Sequence, residues 1–235
     1  MTLQRQLIAA AAGALLLAQA QAQNGPELSL SGQPRSWLVQ GRAWQSEGYE
    51  GARWGMSVEQ VKAVIAAAHP QALATLKQQT DLETRTLGMA VVLPSLAPGP
   101  GPVTISYVFG ATRHGLIAVH LTWVQPGNPS EPQRQALLKA GTELASGLVG
   151  FRWPELGTTR GQVRGPGALV LFSGRDPAGG GVEIRLDGIS YDVERRGAPG
   201  QTDHKTAPPG PAGLRLSYVA SLDNPDVYQI PPGSF

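Results

Sequence analysis

Residues 54–61, Trp54-Gly55-Met56-Ser57-Val58-Glu59-Gln60-Val61, constrain the fold of this chain more than any other stretch. Ser57 and Gln60 have the spacing of a capping box: the serine oxygen accepts from the Gln60 backbone N–H, and the Gln60 side chain returns to the Ser57 N–H. Glu59 places negative charge in the first turn, where the helix dipole favours it. Met56 precedes the cap and is placed to staple onto Val61. A helix is therefore predicted to begin at Val58, with Trp54 held just upstream. Val58, Val61, Ile65 and Ala68 share one face of it at helical spacing. His69-Pro70 interrupts the helix, because the residue before proline avoids the α region. Pro70 then opens a second short helix with Leu73 and Leu76 inward.

Downstream the apolar period changes from about 3.6 to 2. Thr84–Leu93 is a first strand. Val103, Ile105, Tyr107 and Phe109 alternate with Thr104 and Ser106. After the turn at 110–115, Ile117, Val119, Leu121 and Trp123 are expected inward, with Ala118, His120 and Thr122 outward. The two strands should form a hairpin. Ser130, Glu131 and Pro132 open a second helix. Its stripe is Leu137, Gly141, Leu144 and Leu148, and Gly141 implies close packing on a sheet, because glycine inside a helix costs about 1 kcal/mol relative to alanine. Strands return at Ala168–Phe172 and at Val182, Ile184 and Leu186. A one-residue phase slip to Ile189, Tyr191 and Val193 predicts a β-bulge at Asp187-Gly188. A Pro/Gly loop spans 197–213, and Leu214, Leu216 and Tyr218 form the last strand.

Element order gives an α+β, two-layer fold, with helices packed on one face of antiparallel sheet and a tandem α-βββ pseudo-repeat. The units are residues 48–125 and 126–235, the second carrying the 197–213 loop and a C-terminal tail. Residues 23–47 form an N-terminal arm with Trp37 and Trp44 as its large apolar anchors. Residues 1–22 read as a secretory signal peptide. Arg5 supplies the positive start, Leu7–Leu17 the apolar core, and Ala18-Gln19-Ala20 and Ala20-Gln21-Ala22 the small-x-small cleavage sites. That apolar run is about 11 residues, short of the roughly 20 that span a bilayer. Cleavage near Ala20 or Ala22 would release a periplasmic or secreted protein without a transmembrane span.

The 19 basic and 17 acidic residues leave a net charge of +2 and no basic stripe that would mark nucleic acid as a partner. The chain has no cysteine, which excludes disulfides, thiolate metal sites, cysteine nucleophiles and a lipid anchor through cysteine. The four histidines show no metal-ligand spacing. His114 and His120 are placed to converge on one side of the hairpin, with an acidic residue from another strand as a third member. Ser173, Ser190 and Ser217 lack a Gly-x-Ser-x-Gly elbow. The Gly-rich run Asp176–Gly181 lacks P-loop residues and reads as a hairpin turn. Asp223-Asn224-Pro225-Asp226 lacks EF-hand spacing. Glu183 and Asp187 are too ordinary a pair to mark a glycosidase. No catalytic, cofactor or metal residue is assigned. Trp37, Trp44, His114, His120 and Thr122 remain as candidate interaction residues, because exposed tryptophan anchors interfaces and the outward strand face carries the others.

Gly55-Met56-Ser57-x-x-Gln60-Val61, with Ser106-Tyr107-Val108-Phe109 downstream, resembles small exported proteins of the SmpA/OmlA type, which are similar in fold to the β-lactamase inhibitor protein. The resemblance implies a helix pair on an antiparallel sheet, used in tandem, and an exported interaction module without catalysis that contacts an envelope protein. This chain departs from the pattern where Ala67-Ala68-His69-Pro70 stands in place of a Leu-Gly-x-Pro turn. The departure and the missing anchor cysteine leave no basis for an outer-membrane assembly role. Two alternatives stand beside that expectation: a small-ligand binder or hydrolase with its site between the two units, and a structural cell-envelope protein.

Overall fold

The structure, a computed structural model, describes residues 41–194 and 200–229. The signal segment, Trp37 and the last six residues of the tail lie outside the described residues. The first elements among the described residues are a two-stranded ribbon, β1 (Gly48–Tyr49) and β2 (Ala52–Arg53), followed by helix α1 (Val58–Ala68). The capping box at its start is complete. Gln60 N–H donates to Ser57 Oγ at 3.3 Å, and Ser57 N–H donates to Gln60 Oε1 at 2.8 Å. Pro70–Thr75 is a single stretch of 3₁₀ helix. Strands β3 (Lys77–Thr80), β4 (Leu87–Leu93), β5 (Val103–Phe109) and β6 (Leu116–Gln125) follow, then helix α2 (Glu131–Val149). After it come β7 (Thr158–Gly165), β8 (Ala168–Arg175), β9 (Gly181–Asp187), β10 (Tyr191–Glu194), β11 (Thr202–Lys205) and β12 (Ala212–Val219).

Eight of these strands form one antiparallel sheet in the order β3-β4-β5-β6-β12-β9-β8-β7. The last strand in sequence thus lies at the centre, hydrogen-bonded to β6 on one side and β9 on the other. Each half of the chain supplies four sheet strands, not three. The two that the apolar pattern did not reveal, β3 and β7, are the sheet edges. Their sequences, Lys-Gln-Gln-Thr and Thr-Thr-Arg-Gly-Gln-Val-Arg-Gly, are polar, which is how exposed edges avoid pairing with other chains.

One hydrophobic core unites Val61 and Ile65 of α1, Leu137 and Ala140 of α2, and strand residues including Ile105, Leu121, Trp123, Leu186 and Leu214. Gly141 meets the sheet closely, as expected: a Cβ there would stand 2.8 Å from Leu171 Cδ1 and 3.1 Å from Leu214 Cδ1. The β5–β6 hairpin forms with a register shift at Val108/Phe109, which pairs Phe109 with Leu116. This shift corrects the expected inward set. Leu116 enters the main core, and Ile117 turns to a second cluster with Val108, Ala118 and Val219.

Two further expectations are corrected. No bulge continues the sheet at Asp187-Gly188. The chain leaves it there, with Gly188 at φ 69, a left-handed value that favours glycine. Then β10 pairs with β11 in a separate two-stranded sheet. A Cβ on Gly188 would lie 2.3 Å from the Pro211 carbonyl oxygen, so the exit also needs the missing side chain. The 197–213 stretch is accordingly not one loop, since it contains β11 and the first residues of β12. Arg134 of α2 braces this exit. It donates to the carbonyl oxygens of Pro129 at 3.1 Å, Gly210 at 3.2 Å and Gly188, and to Asn128 Oδ1 at 2.8 Å.

No helix among the described residues is long and apolar enough to cross a membrane.

Candidate functional site

The side of the sheet away from α2 is built from the polar members of each alternation. Register aligns Ser106, His120, Ser217, Glu183, Ser173 and Thr159 in one row across six strands, β5 to β7. The next row is Thr104, Thr122, Arg215, Arg185, Val170 and Gln162. A cavity of about 380 Å³ lies over the β6–β12–β9–β8–β7 part of these rows, lined by His120, Ser217, Glu183, Ser173, Arg215 and Gln162, with Arg164 and Arg175 beside them. Leu156, Val219 and Leu222 give it apolar wall.

His120 is the most constrained side chain in the cavity. It is 2% exposed, so the expectation of an outward, accessible histidine is corrected. Its Nδ1 lies 2.9 Å from Ser217 Oγ, and its Nε2 has no hydrogen-bond partner among the described residues. Burial first, and the nearby Arg215 charge second, push its pKa down to about 3. His120 is therefore neutral over the whole physiological range.

Arg215 is half-buried, and its Nε is enclosed without a partner among the described residues. Burial lowers the pKa of its guanidinium, and Glu183 supports the charged form against that. The guanidinium stays protonated in either case. The neighbouring arginines are differently placed. Arg185 donates to Asp187 through Nε, at 3.0 Å to each carboxylate oxygen, and through Nη2 at 2.8 Å. Arg175 is held by Asp223, with Nη1 2.8 Å from Oδ1.

Ser217 and His120 superficially match a nucleophile and its base. The match fails chemically. A base held near pKa 3 has little driving force to take a proton near neutral pH, and among the described residues no carboxylate is hydrogen-bonded to the other ring nitrogen. The arrangement suits recognition: two enclosed donor groups, a ring of hydroxyls and an apolar wall. Ser190 is accounted for structurally, since its Oγ donates to Glu131 and accepts from the Ala207 N–H.

The remaining candidates disperse. His114 sits in the exposed turn before β6, at φ 55, and does not line the cavity with His120. The carboxylate that does line it is Glu183, from β9. Thr122 is half-buried, opposite Arg215 in the register. Trp44 is not an exposed anchor: it is 7% exposed and stacks on Trp153, with ring centroids 4.8 Å apart. Among the described residues, no group of three or more His, Asp or Glu is placed to hold a metal ion.

Arg215, Glu183 and Gln162 were not singled out from sequence as ligand contacts. The usable signal was the alternation in 214–218, which turns Arg215 and Ser217 away from the core. Nothing local to either residue shows that β12 inserts between β6 and β9.

Comparison of the chain with protein-family models, with characterised proteins and with solved structures returns no match.

Proposed function

We propose that this chain is an exported, non-enzymatic binding protein whose polar sheet face holds a small molecule in the cavity beside His120. The observation that carries this reading is the enclosed His120 Nε2 without a partner at a cavity wall. A buried polar atom left unpaired costs about 1–3 kcal/mol, and a bound ligand relieves that cost. The cavity is at the small end of the roughly 300–1,000 Å³ typical of ligand sites. A protein partner docking on this strand face, as the sequence suggested, is disfavoured by the burial of His120 and Ser106.

The fold reading that accompanies this is a tandem repeat. Each unit supplies a helix and a four-strand meander, both helices lie on one face of the sheet, and the final strands β6 and β12 meet at the centre. Support comes from the strand order and from the single core shared by α1 and α2. The cavity then spans strands of both units, with His120 from the first and Ser217, Arg215 and Glu183 from the second. Export is supported by Arg5, the Leu7–Leu17 run and the alanine sites that follow. The intact mass of the expressed product would show an N-terminus at Gln21 or Gln23.

A ligand-observed fragment screen on the full chain tests the binding reading. Fragments are expected to bind the wild type and to be lost from Ser173→Trp, which fills the cavity. If no fragment distinguishes the two proteins, the cavity is not a ligand site.

A further inference from the structure

The structure assigns a neutral secondary amide as the ligand of this cavity, its carbonyl oxygen accepting from Arg215 and His120 and its N–H donating to Glu183. This rests on the reading of the cavity as a ligand site. Register sets the three groups round Ser217. His120 lies opposite it on β6, Glu183 opposite it on β9, and Arg215 two residues along β12 on the same face. Two strand spacings, about 10 Å, separate the His120 and Glu183 backbones. All three side chains line the one cavity.

What each group asks of a ligand follows from its protonation. Arg215 has donors only, and its enclosed Nε has no partner among the described residues. His120 is neutral, so one ring nitrogen carries a proton and the other a lone pair. Ser217 Oγ meets His120 Nδ1 at 2.9 Å. With the serine donating, its buried hydroxyl proton has an acceptor, and the ring proton then sits on Nε2 as the second enclosed donor. Glu183, when ionised, only accepts. The wall therefore presents two donors and one accepting group. A secondary amide carries one oxygen with two lone pairs and one N–H, which satisfies all three.

Ions fit this wall poorly. Glu183 supports the charge on Arg215, Arg175 is matched by Asp223, and Arg185 by Asp187. Arg164 is exposed and has interactions of its own, so neither its charge nor its donors enter the assignment. A carboxylate beside Arg215 would set a second negative charge against Glu183, and an ammonium would stand against Arg215. Either would also bring more lone pairs or N–H groups than the wall can pair, and an enclosed polar group left unpaired is costly. Leu156 and Val219 receive the apolar substituent of the amide. Leu156 is 98% exposed, and a hydrocarbon chain laid against it removes that exposure.

Titration calorimetry of the full chain with three probes of equal size is the test: N-butylacetamide, butyl acetate, which lacks the N–H, and hexanoate, which carries the charge. The amide is expected to bind at least tenfold more tightly than either of the others. Glu183→Leu is expected to remove its advantage over the ester, Arg215→Met to weaken amide and ester alike, and Ser173→Trp to abolish binding of both. Equal binding of amide and ester, still blocked by Ser173→Trp, would overturn the amide while leaving the cavity a ligand site, as would an amide advantage that survives Glu183→Leu. Tighter binding of hexanoate would overturn the neutral ligand. If none of the three binds while other fragments are lost with Ser173→Trp, the amide is overturned and the site stands; fragment hits that Ser173→Trp does not affect would overturn the site itself. If a variant does not fold, as judged by circular dichroism, the three-probe comparison on the wild type still decides.

Discussion

Ser217 Oγ and His120 Nδ1 face each other at 2.9 Å across the seam where β12 meets β6, 97 residues apart in sequence. The serine is the only hydrogen-bond partner of that imidazole among the described residues. Ser217→Ala leaves both ring nitrogens unpaired, so a loss of about 1–3 kcal/mol is expected. In a His120→Leu background the same change should cost much less, because no buried partner is left stranded. Urea denaturation of the four proteins measures the coupling. Equal serine effects in both backgrounds would show that the contact carries no energy.

Stability should depend on pH through His120. Its folded pKa of about 3 lies below the unfolded value of about 6.5. The unfolded chain therefore binds the proton first as pH falls. The contribution is intact above about 6.5 and is lost progressively from there toward 3. At pH 5 the loss from this one group is about 2 kcal/mol relative to pH 8. His120→Gln should flatten the stability curve between pH 5 and 7. A wild type whose midpoint denaturant concentration does not fall from pH 7 to pH 5 would contradict the burial of a neutral imidazole.

The cap on α1 is a local device with a local effect. Ser57→Ala removes the oxygen that accepts the Gln60 N–H and should lower stability by about 1 kcal/mol. Ligand affinity at the His120 cavity should be unchanged, since Ser57 does not line it. A binding loss with stability intact would make the 54–61 motif a site.

Trp44 ties the arm to the domain. Besides the ring stacking on Trp153, its backbone N–H donates to the Arg152 carbonyl oxygen at 3.3 Å. Trp44→Ala is expected to cost about 3–5 kcal/mol, in the range for a buried aromatic cut to alanine. A loss under about 0.5 kcal/mol by calorimetry would place this ring outside the core.

The start of α1, the β5–β6 hairpin and the Asp176–Gly181 turn were legible because each is decided within a few residues. A cap needs partners three residues apart, and a hairpin needs a period of 2 on both sides of a turn. The turn at Asp176 closes through its own carboxylate, with Gly180 N–H donating to Asp176 Oδ1 at 2.8 Å. Edge strands β3 and β7 carry no apolar alternation, so no periodic signal announced them. The register shift beside Phe109 puts Leu116 in the main core in place of Ile117, an effect one residue wide that the pattern alone cannot resolve.

By itself, then, the sequence determined the class of the fold, the order of most of its elements and which side of most strands is apolar, because those follow from short-range caps, turns and periodicity. The tertiary structure decided which strands are neighbours. Placing β12 between β6 and β9 brings His120, Ser217, Arg215 and Glu183 to one wall, and it turns an outward histidine into a buried one. That outcome depends on contacts across about a hundred residues of chain, whose energies come from burial and cross-strand pairing and leave no local mark.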